Sequence, residues 1–214
     1  FPTRRSSDLG FDKTRGGQVG VSHYRTFAFN TQQLLNYNKE FGKHTVSALL
    51  GHEYTRNIST TLTGRKNNIF AYKMNTELSG ALTLVSANSY KDLYNIEGFF
   101  FRGQYDYDSK YFASASFRRD GSSRFHPKHR WGNFWSFGGA WIMTKEKWFK
   151  PKWVDMLKLK ASFGQQGNDD IGDFYYSAFY DLLAVNGEGS LAFSNKGKRN
   201  ITWETNTNIN AGFE

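Results

Sequence analysis

The chain has 214 residues, no Cys, and 28 basic against 19 acidic side chains for a formal net charge of +9, so disulfide frameworks and cysteine-based zinc sites are excluded. No run of about 18 apolar residues occurs, which excludes a membrane-spanning helix on hydropathy, and the basic residues are scattered rather than blocked, which argues against a nucleic-acid partner. The mean hydropathy of −0.65 leaves a transmembrane β-barrel open, because its lipid-facing residues alternate with polar lumen residues.

Aromatics make up 18% of the chain, beside 21 Gly and only three Pro. Long hydrogen-bonded ladders disfavour Pro, and barrel interfaces need aromatic girdles. In chain order, residues 1–9 (Phe1-Pro2-Thr3-Arg4-Arg5-Ser6-Ser7-Asp8-Leu9) resemble the conceptual translation of a sequencing-library adapter. They are set aside as an artefact, and the reading is taken over 10–214 as part of a longer protein, with truncation expected at both ends.

Arg25 to Tyr37 reads as the first strand, with Phe27, Phe29 and Leu35 on one face. After a short polar turn over 38–43, Val46, Ala48 and Leu50 alternate with Thr45, Ser47 and Glu53, blurred only by Leu49. The stretch from Asn57 to Tyr90 is polar, and a long loop is expected there. Lys91 to Tyr107 is strand-like, but the consecutive Phe99, Phe100 and Phe101 leave its facing open. Tyr111, Ala113, Ala115 and Phe117 alternate with Ser114, Ser116, Arg118 and Asp120, and Trp131, Trp135, Phe137 and Trp141 continue in phase. The connection from Thr144 to Met156 carries Trp148, Phe149 and Trp153, which suit an interfacial girdle, and Pro151 opposes a regular helix.

The clearest alternation is Leu157, Leu159, Ala161 and Phe163 against Lys158, Lys160, Ser162 and Gln166. Its length of about ten residues suits a tilted strand crossing a bilayer. A second long loop is expected over 167–200. The last strand then sets Ile201, Trp203, Thr205, Ile209, Ala211 and Phe213 against Glu204, Asn206, Asn208, Asn210 and Glu214. Short turns on one side and long loops on the other are the two ends of an outer-membrane barrel. The fold expected is all-β: an antiparallel meander of about seven strands, an open segment of a large transmembrane β-barrel. A soluble β-protein, which also alternates, is the alternative.

One region carries a family pattern. Gly103-Gln104-Tyr105-Asp106-Tyr107-Asp108-Ser109-Lys110-Tyr111 is followed by Arg118-Arg119-Asp120-Gly121-Ser122-Ser123-Arg124-Phe125, then by Arg130-Trp131-Gly132 and Gly139-Ala140-Trp141. Leu157 to Asn168, Ile171-Gly172 and Thr202-Trp203-Glu204 complete it. This order and spacing resembles the SusC/RagA-type TonB-linked outer-membrane proteins, specifically from about Phe99 to Glu214 and more weakly before that. The resemblance implies a plugged barrel of roughly 22 strands in the outer membrane of a Gram-negative bacterium. It also implies multi-pass insertion, TonB-coupled import of oligosaccharides or peptides, and a SusD-type surface lipoprotein as partner. A soluble or surface-attached β-domain that binds glycans is the alternative function.

No enzyme is expected, and no cofactor, catalytic residue or metal ligand is assigned. A glycosidase needs two carboxylates flanking a sugar, and nothing in the sequence pairs them. His126 and His129 lack a third metal ligand, and His52-Glu53 lacks the second His of a zincin motif. Asp169, Asp170 and Asp173 lack the spacing of a twelve-residue calcium loop, while Gly121-Ser122-Ser123 meets Phe125 where a nucleophile elbow needs Gly. Arg118 and Asp120, two residues apart, are the candidates for the lumen, either lining a substrate path or anchoring neighbouring strands. Arg119 falls on the lipid face near the strand end, where a long side chain snorkels. Tyr175, Tyr176, Phe179 and Tyr180 are placed in a loop, where they either stack on sugar rings or pack the loop itself.

Overall fold

The computed structural model describes residues 4–10, 16–70, 76–149, 151, 153–185 and 188–214. Eight strands form one sheet in the order β1-β2-β3-β4-β5-β6-β7-β10, and β8 pairs with β9 in a separate hairpin. The main strands are β1 (Arg4–Gly10), β2 (Gln18–Phe41), β3 (His44–Ile69), β4 (Ala81–Tyr107), β5 (Tyr111–Ser122), β6 (Trp131–Ile142), β7 (Lys158–Asn168) and β10 (Glu204–Phe213). The hairpin is β8 (Phe179–Val185) and β9 (Glu188–Asn195). Every pair with a defined register is antiparallel. Consecutive strands are neighbours through β7, as short turns dictate.

All seven expected strands are present. β1 lies within the segment set aside as foreign and pairs with β2 from Arg4↔Tyr24 to Gly10↔Gln18. Both expected long loops are corrected. β3 runs on to Ile69 and β4 begins at Ala81, so most of 57–90 is strand. β8 and β9 occupy part of 167–200. β2, β3 and β4 have 24, 26 and 27 residues, where roughly 9–11 cross a bilayer. Where neither face of a strand has to be apolar, alternation fades although pairing continues. Thr60, Thr61 and Thr63 are β-branched and polar, a composition that favours strand without announcing a buried side.

Contacts divide the chain into two compact units, residues 1–29 with 56–94, and residues 30–55 with 95–214. In the first, polar ladders dominate: Gln18 donates to Asn67 (2.9 Å), Tyr24 to Ser59 (3.1 Å) and Asn68 to Thr83 (2.9 Å).

In the second unit the register separates two faces. Opposed residues share a face, so Gly103, Ala115, Phe137, Phe163 and Ile209 form one row. Nearer the short turns, Tyr107, Tyr111, Trp141, Leu159 and Phe213 form another on the same side. Tyr111 stacks on Tyr107 at 6.2 Å and on Trp141 at 6.3 Å, and Trp148 lies 6.3 Å from Trp141. This is the aromatic band expected there, although Trp153 stands apart at 87% exposure. Glu146 accepts from Tyr111 Oη (2.5 Å) and Trp141 Nε1 (3.2 Å) in the connection beneath. Those donors hold its carboxyl below the usual carboxylate range.

The opposite face carries Gln104, Ser114, Gly138, Ser162 and Asn210 in one row, with Lys160 and Gly212 in another. Phe99 and Phe101 lie on the aromatic face and Phe100 on the polar one, which resolves the triple Phe. Trp203, expected on the aromatic face, does not join it. β10 starts one residue later, so the indole folds onto Phe134 (5.3 Å) and Phe125 (5.4 Å) and donates Nε1–H to Arg130 O at 2.8 Å. Phe125 and Phe134 are two of the few buried apolar side chains among the described residues.

Candidate functional site

The polar face of the second unit holds a charge cluster built by three strands. Asp120 sits in a row between Gly98 and Gly132; its carboxylate leans into the space over Gly98 under the Arg118 guanidinium and is only 6% exposed. Arg118 is opposed by Phe100 and Phe134. Its Nε donates to both carboxylate oxygens of Asp120 at 2.7 and 2.8 Å, and its Nη2 donates to Glu53 of β3. The guanidinium also lies over the Phe100 ring at 5.5 Å. A planar fork that serves two carboxylates and an aromatic face is chemistry that Lys cannot reproduce.

The expected Arg118 and Asp120 are therefore brought together on one face, and the structure adds Glu53. The sequence placed Glu53 on the polar phase of its own strand but could not show that it reaches across β4. Gly98 was the available signal. A Cβ there would lie 3.0 Å from Arg118 Nη2 and 3.5 Å from Glu53 Cγ, so a side chain at this position closes the passage between β3 and β5.

Gly98→Val is expected to act like Arg118→Met: both leave Asp120 without its cation. Losing charged hydrogen bonds at a half-buried site costs about 2 kcal/mol. The folded band of the protein on unboiled gels should melt at lower temperature in both variants, and Arg118→Lys should restore only part of the loss. Unchanged melting in both would remove the cluster from any structural role.

Arg118 and Asp120 themselves line a depression of about 560 Å³, together with Ser114, Ser116, Ser136, Ser162, Gln166 and Asn208. Ser116 and Ser136 share a hydrogen bond of 2.6 Å. The hydroxyls and amides of this depression can bond polar ligands beside the Arg118–Asp120 ion pair.

The aspartates weighed for calcium are held by a side chain that the motif search did not single out for this role. Arg124, in the β5–β6 loop, donates to Asp170 Oδ1 (3.0 Å), Asp173 Oδ1 (3.1 Å) and Asp169 O (3.2 Å). Ser122 Oγ, fully buried, donates to Asp169 Oδ2 at 2.6 Å. An arginine thus supplies the cation and ties the β5–β6 loop to the segment after β7. Among the described residues no group of three metal-ligating side chains forms.

His52 bridges Gln33 (2.8 Å) and Glu97 (3.0 Å) and stacks on Phe99 at 4.6 Å. His126 and His129 face each other at 6.3 Å. Arg119 lies 5.3 Å over the Trp131 ring, a cation–π position at the end of the aromatic face. Of the aromatics expected in a loop, Phe179 and Tyr180 instead open strand β8, where Tyr180 meets Phe193 of β9 edge-on at 5.8 Å; Tyr175 is exposed, and Tyr176 packs its ring edge against His126 at 5.8 Å.

No family model matches the chain. It is 33% identical over 202 residues, 88% of its length, to TonB-dependent receptor P39 of Formosa agariphila, covering 18% of that protein. It is also 33% identical over 127 residues to TonB-dependent receptor SusC of Bacteroides thetaiotaomicron, covering 54% of this chain and 12% of SusC. The structure of the RagAB peptide transporter superposes with a TM-score of 0.85 at 26% identity, over 92% of this chain and 22% of that one. The chain spans about a fifth of the length of the first curated relatives it matches.

Proposed function

This chain belongs to the SusC/RagA type of TonB-dependent receptor, and we propose that it serves as barrel wall in an outer-membrane transporter importing oligosaccharides or peptides. The observation that carries the reading is the division of one sheet into two faces. The side bearing Phe101, Phe117, Trp135, Phe137 and Phe163 suits lipid, and the side bearing Ser114, Arg118, Ser136, Lys160 and Asn210 suits an aqueous lumen. The reading rests on the residues from Gly16 onward and takes nothing from 1–9, which we treat as foreign.

In this reading the Glu53–Arg118–Asp120 cluster and the serine- and amide-lined depression face the lumen. The cluster ties the wall together, and the hydroxyls and amides of the adjoining depression offer hydrogen bonds to passing substrate. A SusD-type lipoprotein covers the end opposite the short turns, and TonB supplies the energy from the short-turn side. Both partners fit the relatives' family, and RagAB is itself named as a peptide transporter. No residue here is asked to break or form a covalent bond.

Deletion of the gene in its host, followed by growth on single oligosaccharides or peptides as sole nutrient, tests the proposal. Growth should fail on one class only and return with the intact gene, and deletion of the host's TonB should reproduce the failure. Normal growth on every substrate tried, together with surface glycan binding that survives TonB deletion, would favour the glycan-binding β-domain instead.

A further inference from the structure

Three features outside the lumen reading offer candidates: the β8–β9 hairpin, the His52 cluster and the cavity between the β5–β6 loop and the ends of that hairpin. The hairpin exposes apolar side chains, but nothing in the structure shows what covers them. His52 already has its partners in Gln33, Glu97 and Phe99. The cavity carries the argument further.

It measures about 500 Å³, and its lining includes His126, Tyr176, Ser177, Lys196, Gly197 and Arg199. No carboxylate contributes to the lining. His126 Nδ1 accepts the Lys128 backbone N–H at 3.3 Å, which leaves Nε2 as the protonated, donating nitrogen of the neutral ring. Its edge contact with Tyr176 fixes the imidazole plane. Lys196 and Arg199 form no ion pair among the described residues. Arg124 nearby shows the contrast, because it is matched by three aspartates.

The backbone beneath is closely packed. Lys198 N donates to Tyr175 O at 3.0 Å, and a Cβ on Gly197 would fall 2.6 Å from Ser177 O. Glycine is what lets the two segments approach, and that approach carries Lys196 and Arg199 to one cavity with His126.

We propose that this cavity is an oxyanion site for a sulfate or phosphate ester. Donors reach it from two chain segments, and an Arg fork can serve two oxygens while Lys and His reach a third. A tetrahedral head with several terminal oxygens uses this spread of donors better than a planar carboxylate does. Lys196 and Arg199 are exposed, so each pairing is weak alone, and affinity of the order of millimolar follows. The ester has two sources, an anionic polysaccharide or the phosphorylated lipid of the membrane surface. The assignment goes beyond the transporter reading and does not depend on it, since binding is measured without TonB or transport.

The test is calorimetric titration of the detergent-solubilised full-length gene product with sodium sulfate, at ionic strength held constant with chloride because exposed charges are screened by salt. Saturable binding is expected. Lys196→Gln combined with Arg199→Gln should weaken it about tenfold or more, while Lys128→Gln, in the same loop but outside the cavity, should leave it unchanged. Folding of each variant is checked by its unboiled gel band. Displacement of sulfate by a sulfated oligosaccharide assigns the site to glycan, and displacement by lipid A in bicelles assigns it to lipid. Either result supports the site. Absence of saturable binding, or equal binding by the double variant, overturns it.

Discussion

Produced in buffer without detergent, this chain is expected to elute as aggregate, and to run as a monodisperse species only in detergent. Among the described residues, Val19, Ala81, Phe125 and Phe134 are the buried apolar side chains, far fewer than a soluble domain of this length needs. Large apolar groups lie open instead: Phe137 is 54% exposed, Ile209 75% and Phe213 78%. The register puts these three on one face with Phe163, Trp141 and Tyr111, so they form a continuous patch rather than scattered single residues. Soluble monomers rarely carry such patches beyond a few hundred Å². β10 ends the strand order of the sheet, and unpaired strand edges recruit other chains. Light scattering behind a sizing column decides the matter. A monomer in plain buffer with a cooperative melt would contradict the membrane reading and move the assignment to a soluble β-domain.

What the sequence made legible follows from where water is excluded. In β5, β6, β7 and β10 one face must be apolar and the other need not be, so Phe117, Phe137, Phe163 and Ile209 could each be assigned a side from alternation alone. The same logic is silent where both faces are wet. Residues 57–69 and 81–90 extend β3 and β4, yet their Thr, Asn and Ser residues give no sidedness to read, and they were taken for loop. Trp203 misled because alternation was carried back to Ile201, three residues before β10 begins, and its indole was claimed instead by Phe125 and Phe134. The charge cluster was half visible. Arg118 and Asp120 share a strand and hence a phase, but Glu53 joins them only through the register of β3, β4 and β5, which no local pattern encodes. Arg124 was hidden for the same reason: its three aspartates lie 45 to 49 residues away.

Placing a charge at Phe163 is expected to block assembly of the receptor, whereas the same charge one residue earlier should be tolerated. Phe163 occupies the middle of β7, opposed by Phe137 on one side and Ile209 on the other, with Trp135 at 5.0 Å. If this face meets lipid, the position lies near the bilayer midplane, where Arg costs about 2–4 kcal/mol. Ser162 points to the opposite face between Gly138 and Asn210 and lines the 560 Å³ depression, so an Arg there has both space and water. Phe163→Arg should therefore lower the folded fraction in isolated outer membranes by about thirtyfold or more, since each 1.4 kcal/mol is tenfold in an equilibrium. Ser162→Arg should leave that fraction within about twofold, because lumen positions accept charge. The pair is read from the ratio of folded to unfolded receptor on unboiled gels, with total protein measured after boiling. Equal loss in both variants would point to packing rather than lipid as the constraint. The reverse order, with Ser162→Arg the damaging change, would mean that the serine and asparagine face meets the membrane, and the transporter wall would have to be abandoned for this sheet.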